Sequence, residues 1–547
     1  DCGLFGKFPA RIFELQDLET LDVRSNQDLT GTLIYNFNYS QIPTTLGNFP
    51  QLTYLNLSAS GFFGQVPSQL SQLSKLSNLD LSLNLDPFLG EGLLSIRESD
   101  LRSLIRNLTT LEKLHLSFIN ISSTIPDSIA NLSFLTSLLL RDCGLFGKFP
   151  ARIFELQDLE TLDVRSNQDL TGYLPEFNRS SRLVSLKLGS SSISGNLSPI
   201  RNLDLLQELD VRACNFSGPI PDWFANLTQL TYLSLSDNNF SGGPLSWIGK
   251  QTKLTYLHLG NINLSGYIPS SLRNLTQLFF LHLPSNQLTG PIPSWLGNLS
   301  RLAYIDQPSI LYYVISENKL TGEISPLICD LSALQFLDLS NNKLSGMLPQ
   351  CLGDFSDDLR VLNVGNNSFH GVLPQAYTNT SKLKVLDVSS NQLQGKLPRS
   401  LANCAMLESL ILSNNEFHDV FPSWLGTFPE LKLLSMRHNG FYGVIGKQKR
   451  NLRFPELRIL DLSHNNFRGE FPSEYIFTGN PMRGIPHGQP TYMDTYASFS
   501  VSGVRFYYAF SIMKVLIDTT QRFKKTLGSL ISQATNLKGR FLNSLGT

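Results

Sequence analysis

Aromatic and imidazole side chains recur at a 24-residue interval in the middle of the chain. Tyrosine or phenylalanine occupies four successive copies of one position, and two residues further on histidine occupies two successive copies. Because buried rings supply affinity at interfaces and charged groups set the register of a ligand, this combination would suit recognition of a peptide. The candidate ligand-binding residues are Asp210, Arg212, Tyr232, Tyr256, His258, Phe280, His282 and Tyr304.

The same spacing also allows a purely structural interpretation. Rings that lie 24 residues apart could simply cover the edge of the neighbouring copy of a repeat. The pair His258 and His282 could make binding sensitive to pH, because each imidazole disfavours protonation of the other, or it could belong to an ordinary polar surface.

No sequence pattern indicates catalysis. The motifs HExxH, GxSxG and GxGxxG and the P-loop are absent, and His and Cys are not clustered as they would be at a metal site. Lys plus Arg equal Asp plus Glu at 44 each, which disfavours a nucleic-acid partner. We therefore expect a binding protein with no cofactor, no metal and no enzymatic activity.

An internal repeat would position the candidate residues. Leucines open similar blocks at steps of 24 residues, once 23, from Leu111 to Leu302. Aligned on these leucines, the blocks read LxxLxLxxNxLxGxIPxxLxxLxx, the pattern of a leucine-rich repeat. The leucines of LxLxx point inward from a short strand and the residues between them point outward. The sequence predicts an α/β solenoid, a right-handed curved superhelix of about 18 coils, with a concave parallel β-sheet and a mostly irregular or 3-10 convex side.

Other repeat positions have predicted structural roles. A buried Asn at position 9 can satisfy turn backbone groups of its own coil and the adjacent one. Cys143 and Cys214 occupy the same position, where a small buried thiol fits. Gly at position 13 and the Pro after it favour an extended return segment, so we expect little long helix. The position-9 asparagines are Asn238, Asn286, Asn342, Asn367, Asn391, Asn415, Asn439 and Asn465.

Two cysteines are candidates for a disulfide. Cys329 and Cys351 fall on the arcs of successive coils, near enough for a bridge if the coils stack regularly. Cys404 has no evident partner.

Fifteen N-x-Ser/Thr sequons offer sites for N-glycosylation. Eight fall at coil positions 10 and 21, off the concave strands, so glycans would shield the sides and back, with Asn56 as an exception. Asn at these positions could instead be structural, but fifteen acceptors favour a secreted protein. The sequons are at Asn38, Asn56, Asn107, Asn120, Asn131, Asn178, Asn196, Asn215, Asn226, Asn239, Asn263, Asn274, Asn298, Asn366 and Asn379.

The repeat form LxGxIP resembles the extracellular repeats of plant leucine-rich-repeat receptors. The stretches FNYSQIP at Phe37–Pro43, LHLSFINISSTIP at Leu114–Pro126 and GYLPEF at Gly172–Phe177 are similar to receptor-like proteins of the disease-resistance type, which lack a kinase. Residues 476–529 lose the repeat and resemble the non-repeat island of that family. The resemblance implies a receptor-like kinase as co-receptor or adaptor, a peptide, protein or glycan ligand, and a C-terminal membrane anchor that this chain does not contain.

Three segments are expected. Residues 1–475 form the repeat array, in which residues 1–31 duplicate residues 142–172. Residues 476–529 form the island-like segment. Residues 530–547 lack the repeat, and one codon choice for them encodes a good repeat in another frame, so a frameshift is our hypothesis for this tail.

The resemblance favours extracellular ligand recognition in plant defence or developmental signalling, acting through a partner receptor kinase. The location would be the outer face of the plasma membrane, or the apoplast if this chain is the whole product. Two alternatives stay open. One is a secreted inhibitor of microbial cell-wall-degrading enzymes, and the other is a nonfunctional fragment of a receptor gene.

Overall fold

A computed structural model describes residues 15, 17–25, 40–87, 89–296, 310–445 and 454–469, together with the backbone of 493–501 and 504–512. Two compact units divide the chain, Asp1–Gln287 and Leu288–Thr547.

In the first unit, eleven short strands pair in parallel into one sheet within the described residues. Each strand occupies positions 3 to 5 of its coil, and partners in adjacent coils lie in register, as Tyr232 with Tyr256 and Phe280. The leucine between the two outward positions is buried, since Leu233, Leu257 and Leu281 are 0 to 1% exposed. These inner strands are Thr20–Asp22, Tyr54–Asn56, Asn78–Asp80, Lys113–His115, Ser137–Leu139, Thr161–Asp163, Ser185–Lys187, Glu208–Asp210, Tyr232–Ser234, Tyr256–His258 and Phe280–His282.

The second unit repeats this arrangement with seven inner strands in its described part. With the eleven of the first unit, they make 18, the predicted number of coils. The strands are Tyr312–Val314, Phe336–Asp338, Val361–Asn363, Val385–Asp387, Ser409–Ile411, Leu433–Ser435 and Ile459–Asp461.

The position-9 asparagines link successive coils, as the sequence predicts. Asn286 is 3% exposed, and its amide nitrogen donates to the carbonyl oxygens of Leu259 and Leu283 at 2.8 and 3.0 Å. Its side-chain oxygen accepts from the backbone N–H groups of Ile262 and Leu264 at 3.2 and 2.9 Å. One amide therefore satisfies backbone groups of two coils, which would otherwise be buried without partners.

The arcs between inner strands contain short 3-10 helices, in agreement with the sequence. Most follow a proline that is extended, as Pro221 is before Asp222–Asn226, because the fixed φ of proline suits that entry. The 3-10 helices are Thr44–Asn48, Ser68–Gln72, Asp127–Asn131, Ala151–Glu155, Ser198–Asn202, Asp222–Asn226, Ser246–Lys250, Ser270–Asn274, Pro326–Asp330, Gln350–Gly353, Arg399–Asn403 and Ser423–Thr427.

A second set of parallel strands, which the repeat pattern does not predict, follows the turn in most coils. Position 13 glycines of these strands adopt positive φ, such as 85° at Gly218, a conformation that disfavours other residues. The outer strands are Gly64–Gln65, Leu94–Ser95, Gly147–Lys148, Asn167–Tyr173, Ser191–Gly195, Asn215–Gly218, Asn239–Phe240, Ser265–Tyr267, Gln287–Gly290, Lys319–Gly322, Lys343–Met347, Ser368–Gly371, Gln392–Gly395, Glu416–Phe417, Tyr442–Val444 and Asn466–Arg468.

One α-helix, Glu98–Asn107, is the only such helix of the described residues. It lies in the long coil that begins at Leu76, where the additional residues leave room for three turns. Its buried side chains are Leu101, Leu104 and Ile105, a spacing that places them on one helical face.

The structure contains the predicted disulfide and buries the two cysteines that were predicted to be buried. Cys329 and Cys351 form a disulfide with a Cα–Cα distance of 6.2 Å. Cys143 is buried in the position of the asparagines and donates to the carbonyl oxygen of Leu116 at 3.1 Å. Cys214 donates in the same way to Leu188 at 3.3 Å. Burial raises the pKa of Cys143 to about 12, so this thiol stays protonated and inert.

Within the island-like segment, Met493–Val501 and Val504–Ile512 form an antiparallel hairpin. The other residues of the island, the tail 530–547 and most of the duplicated residues 1–31 lie outside the described residues.

Candidate functional site

The outward side chains at coil positions 3, 5 and 7 form what we call the open face of each sheet. In the first unit, a ladder of three rings crosses this face. Tyr232 stacks on Tyr256 with centroids 4.3 Å apart, and Tyr256 stacks on Phe280 at 4.1 Å. The interplanar angles are 8° and 7°, so the in-register strands hold the rings face to face.

The faces of the three rings lie against one another. Tyr256 and Phe280 are only 5% and 4% exposed, whereas Tyr232 at the end of the ladder is half-buried. Burial and the carboxylate of Asp210 raise the pKa of Tyr232 to about 12, so its hydroxyl is protonated at every physiological pH. Tyr232 is therefore the most exposed ring of the ladder, and its hydroxyl is neutral.

The two predicted histidines lie beside the ladder. His258 and His282 meet edge to face with centroids 4.3 Å apart, and His258 lies 3.5 Å from the hydroxyl of Ser236. Burial lowers the pKa of His282 to about 4. Burial, then the charges of His282 and Arg212, hold the pKa of His258 well below its usual value. Both imidazoles are consequently neutral near pH 6 and offer hydrogen bonds rather than charge.

The N-terminal side of the ladder carries charged groups. The carboxylate of Asp210 is fully buried and lies 3.3 Å from a guanidinium nitrogen of Arg165 and 3.8 Å from Nε of Arg212. Arg165 also pairs with Asp163 at 2.6 Å. The 24-residue spacing predicts a role for Asp210 and Arg212 and does not indicate Asp163 and Arg165. The signal that could have found them is arginine at position 7, where serine is the commonest residue of the repeat.

The other predicted site residues are Tyr304 and the asparagines of the glycosylation sequons. Tyr304, Asn38 and Asn298 lie outside the described residues. Asn56 is 4% exposed, and its side-chain oxygen accepts from the backbone and hydroxyl of Ser58. The other twelve sequon asparagines are exposed.

A shallow cavity of about 320 Å³ lies on the arcs, away from the open face. Pro219, Pro221, Gly243, Pro244 and Trp247 line much of it. No group of three or more His, Cys, Asp or Glu side chains in the described part of the chain could hold a metal ion.

Comparison with known proteins shows which family this chain resembles. The description "Leucine-rich repeat region" matches residues 182–476, which is more than half of the chain, and "Leucine Rich Repeat" matches residues 110–132. Receptor-like protein 6 of Arabidopsis thaliana is 34% identical over 202 residues, 37% of this chain and 19% of that protein. Receptor-like protein 9DC1 of Solanum pimpinellifolium is 34% identical over 222 residues, 40% of this chain and 24% of that protein. The match thus spans about a fifth to a quarter of these relatives.

Solved structures show the same fold over a larger share of this chain than the sequence relatives cover. The plant peptide hormone receptor RGFR1 in complex with RGF2 is 27% identical, with a TM-score of 0.62, covering 88% of this chain and 84% of that one. The Arabidopsis receptor kinase HAESA in complex with the peptide hormone IDA and the co-receptor SERK1 is 27% identical, with a TM-score of 0.59, covering 88% and 89%.

Among the described residues, no helix combines the length and the apolar character that crossing a bilayer would require. The coils, the position-9 asparagines and the matched relatives agree with one another. The chain belongs to the leucine-rich-repeat family, and its relatives within that family are plant receptor-like proteins.

Proposed function

We propose that this chain is the extracellular recognition part of a plant receptor-like protein and that the open face of its first unit binds a peptide. The observation that carries the proposal is the ladder of Tyr232, Tyr256 and Phe280 with His258 and His282 beside it. The function is binding, with no catalytic step.

The geometry of the ladder favours an extended ligand. Adjacent strands are about 4.8 Å apart, so a peptide that crosses the strands meets a new coil roughly every one and a half residues. Rings that already stack on one another lose little conformational freedom on binding, which preserves affinity. The neutral imidazoles and the hydroxyl of Tyr232 can pair with the peptide backbone.

A partner kinase would carry the signal across the membrane in defence or development. The structure of the receptor kinase HAESA contains a peptide hormone together with the co-receptor SERK1. By analogy, a receptor kinase would associate with the peptide-loaded chain at the outer face of the plasma membrane.

The proposal can be tested with peptides selected from a random library on the secreted full chain. We expect Tyr232→Ala to weaken binding of the selected peptides at least tenfold, because truncation of an aromatic hot-spot residue costs about 2 kcal/mol or more of binding free energy, and about 1.4 kcal/mol corresponds to tenfold. The matched control is Tyr267→Ala, since Tyr267 lies on an outer strand and is 70% exposed.

Circular dichroism and the melting temperature would establish that both variants fold. Peptides that bind the parent chain and both variants equally would show that the ladder is not the binding surface. A library that yields no specific peptide would count against a peptide ligand altogether.

A further inference from the structure

Exposed apolar side chains form a row along the outer strands of the second unit. Met347, Val372, Val420 and Val444 stand at coil position 14, counted from the residue that opens each coil, and are 40 to 66% exposed. Tyr442, at position 12 beside Val420, is exposed as well. A contiguous apolar patch on a protein surface commonly marks a contact with another molecule. The row is therefore a candidate contact surface for another protein.

Glycine at position 13 lets the row run on from coil to coil. A Cβ atom at Gly371 would lie 3.2 Å from Cγ of Met347, and one at Gly395 would lie 3.2 Å from Cγ1 of Val372. Each apolar side chain thus lies against the glycine backbone of the next coil. The glycines leave no side chain between neighbouring members of the row, so a partner could reach all of them at once.

The distribution of N-glycosylation sequons also distinguishes this face. In the first unit, four sequons stand at position 10, close to the start of an outer strand, and a fifth, Asn196, occupies position 14 itself. From residue 291 to residue 469 the sequence has three sequons, Asn298, Asn366 and Asn379, at coil positions 21, 8 and 21. A glycan is bulky and would block a protein contact on the strand that carries it. The outer strands of the second unit are free of such acceptors.

The charges in the row make it complementary to itself. Position 14 holds an apolar, an acidic, two apolar, a basic and again an apolar residue in six coils whose outer strands pair in succession. These residues are Pro291, Glu323, Met347, Val372, Lys396 and Val420. Read in the opposite direction, the apolar places coincide and the acid takes the place of the base. Glu323 and Lys396 are both exposed, and neither forms an ion pair with a described residue.

A twofold axis perpendicular to the row, between its third and fourth residues, would bring two such rows together. In a twofold contact the same patch is used on both copies, so that each pair of facing residues occurs twice. Apolar residues would then face apolar residues, and each carboxylate would face an ammonium group. The facing pairs are Met347 with Val372, Glu323 with Lys396, and Pro291 with Val420.

We propose that the outer-strand face of the second unit binds a second copy of this chain, through a twofold contact along coil position 14. This contact goes beyond the proposed function, because it uses no residue of the peptide-binding face. Six coils at the usual strand spacing span roughly 24 Å, so the contact is at the small end of specific interfaces. The dimer is therefore reversible and forms at micromolar concentrations of the chain.

Sedimentation equilibrium of the secreted full chain, with no peptide added, tests the contact. We expect a reversible dimer with a Kd of about 1 to 100 μM. Glu323→Lys should raise this Kd by about tenfold or more, because lysine would then face lysine at both ends of the contact. Met347→Asp should do the same by placing a carboxylate among apolar groups. The matched control Met406→Asp, at an exposed site outside the row, should leave the Kd within about twofold.

An equimolar mixture of Glu323→Lys and Lys396→Glu chains gives the sharpest result. Opposite charges face each other at both ends of the mixed dimer, so the mixture should associate like the parent chain although neither variant does so alone. Misfolded variants could not restore association, and circular dichroism would confirm that each variant folds.

Two results would overturn the proposal. One is a parent chain that stays monomeric at about 200 μM, well above the expected Kd. The other is a dimer that all the variants form as readily as the parent. A monomeric chain that instead binds the ectodomain of a receptor kinase through Met347 would assign the row to that partner and would equally overturn the dimer.

Discussion

Side chains at positions 3 and 9 of the repeat contact residues one coil away. Tyr256 stacks on rings 24 residues before and after it, and Asn286 bonds to backbone groups 22 to 27 residues earlier. A single substitution at such a position consequently disturbs at least two coils.

Asn286→Ala should destabilise the chain by about 3 kcal/mol or more, because it leaves several buried backbone groups without a partner. Chemical denaturation monitored by circular dichroism would measure the loss as a lower unfolding midpoint. The control is Gln277→Ala at an exposed position of the same unit, with an expected change within about 0.5 kcal/mol. Equal midpoints for the two variants would contradict the role of the asparagine.

The pair His258 and His282 should make stability depend on acidity. The pKa of His282 falls from 6.5 to about 4 on folding, so the unfolded chain binds the proton more readily. The stabilisation is complete above pH 6.5 and is lost as the pH falls through about 4. At pH 5 the free energy of unfolding is lower by about 2 kcal/mol because of His282 alone.

Denaturant unfolding curves recorded between pH 7 and pH 4 would measure how steeply the free energy of unfolding depends on pH. His282→Gln should flatten it, and His370→Gln, at an exposed site in the second unit, should leave it unchanged. A parent chain whose unfolding midpoint is constant over this range would refute the assignment.

At the scale of elements, the disulfide joins two successive arcs of the second unit. Cys329 and Cys351 are 22 residues apart in sequence, and closing a loop of that length stabilises by about 3 kcal/mol in the chain-entropy account. Replacing both by serine should lower the unfolding free energy by about this amount. Reductant should destabilise the parent chain and not the double variant, and a parent insensitive to reductant would exclude the bridge as a stabilising element.

The sequence predicts the inner strands well because leucine spacing alone determines which side chains point into the core. The asparagine network and the short 3-10 arcs follow from residue types at fixed positions. The helix Glu98–Asn107 was not predicted, since it belongs to an irregular coil without a repeat to compare. The outer strands were also missed, because their pairing depends on how closely successive turns approach.

The candidate site could be predicted only in part, because its contacts also depend on how neighbouring coils pack. The period places Tyr232, Tyr256 and Phe280 side by side, but it does not reveal that their faces stack on one another. Arg24 and Arg165 have identical local sequences and different burial. Their difference comes from neighbouring coils, which no local pattern contains.

At the scale of the whole molecule, glycosylation should separate the exposed surfaces from the open face. On the chain secreted from plant cells, we expect glycans at the twelve exposed sequons and none at Asn56, whose side chain is buried and hydrogen-bonded. Mass spectrometry of glycopeptides, with and without enzymatic deglycosylation, would map the occupied sites. A glycan on Asn56, or bare asparagines at most exposed sequons, would contradict this arrangement.

Hydrogen–deuterium exchange of the full chain, with and without a library-selected peptide, would show directly whether the open face of the first unit binds a peptide. We expect slower exchange in the strands Tyr232–Ser234, Tyr256–His258 and Phe280–His282 when the peptide is bound. Protection confined to the 3-10 arcs or the outer strands, with these three strands unchanged, would contradict it.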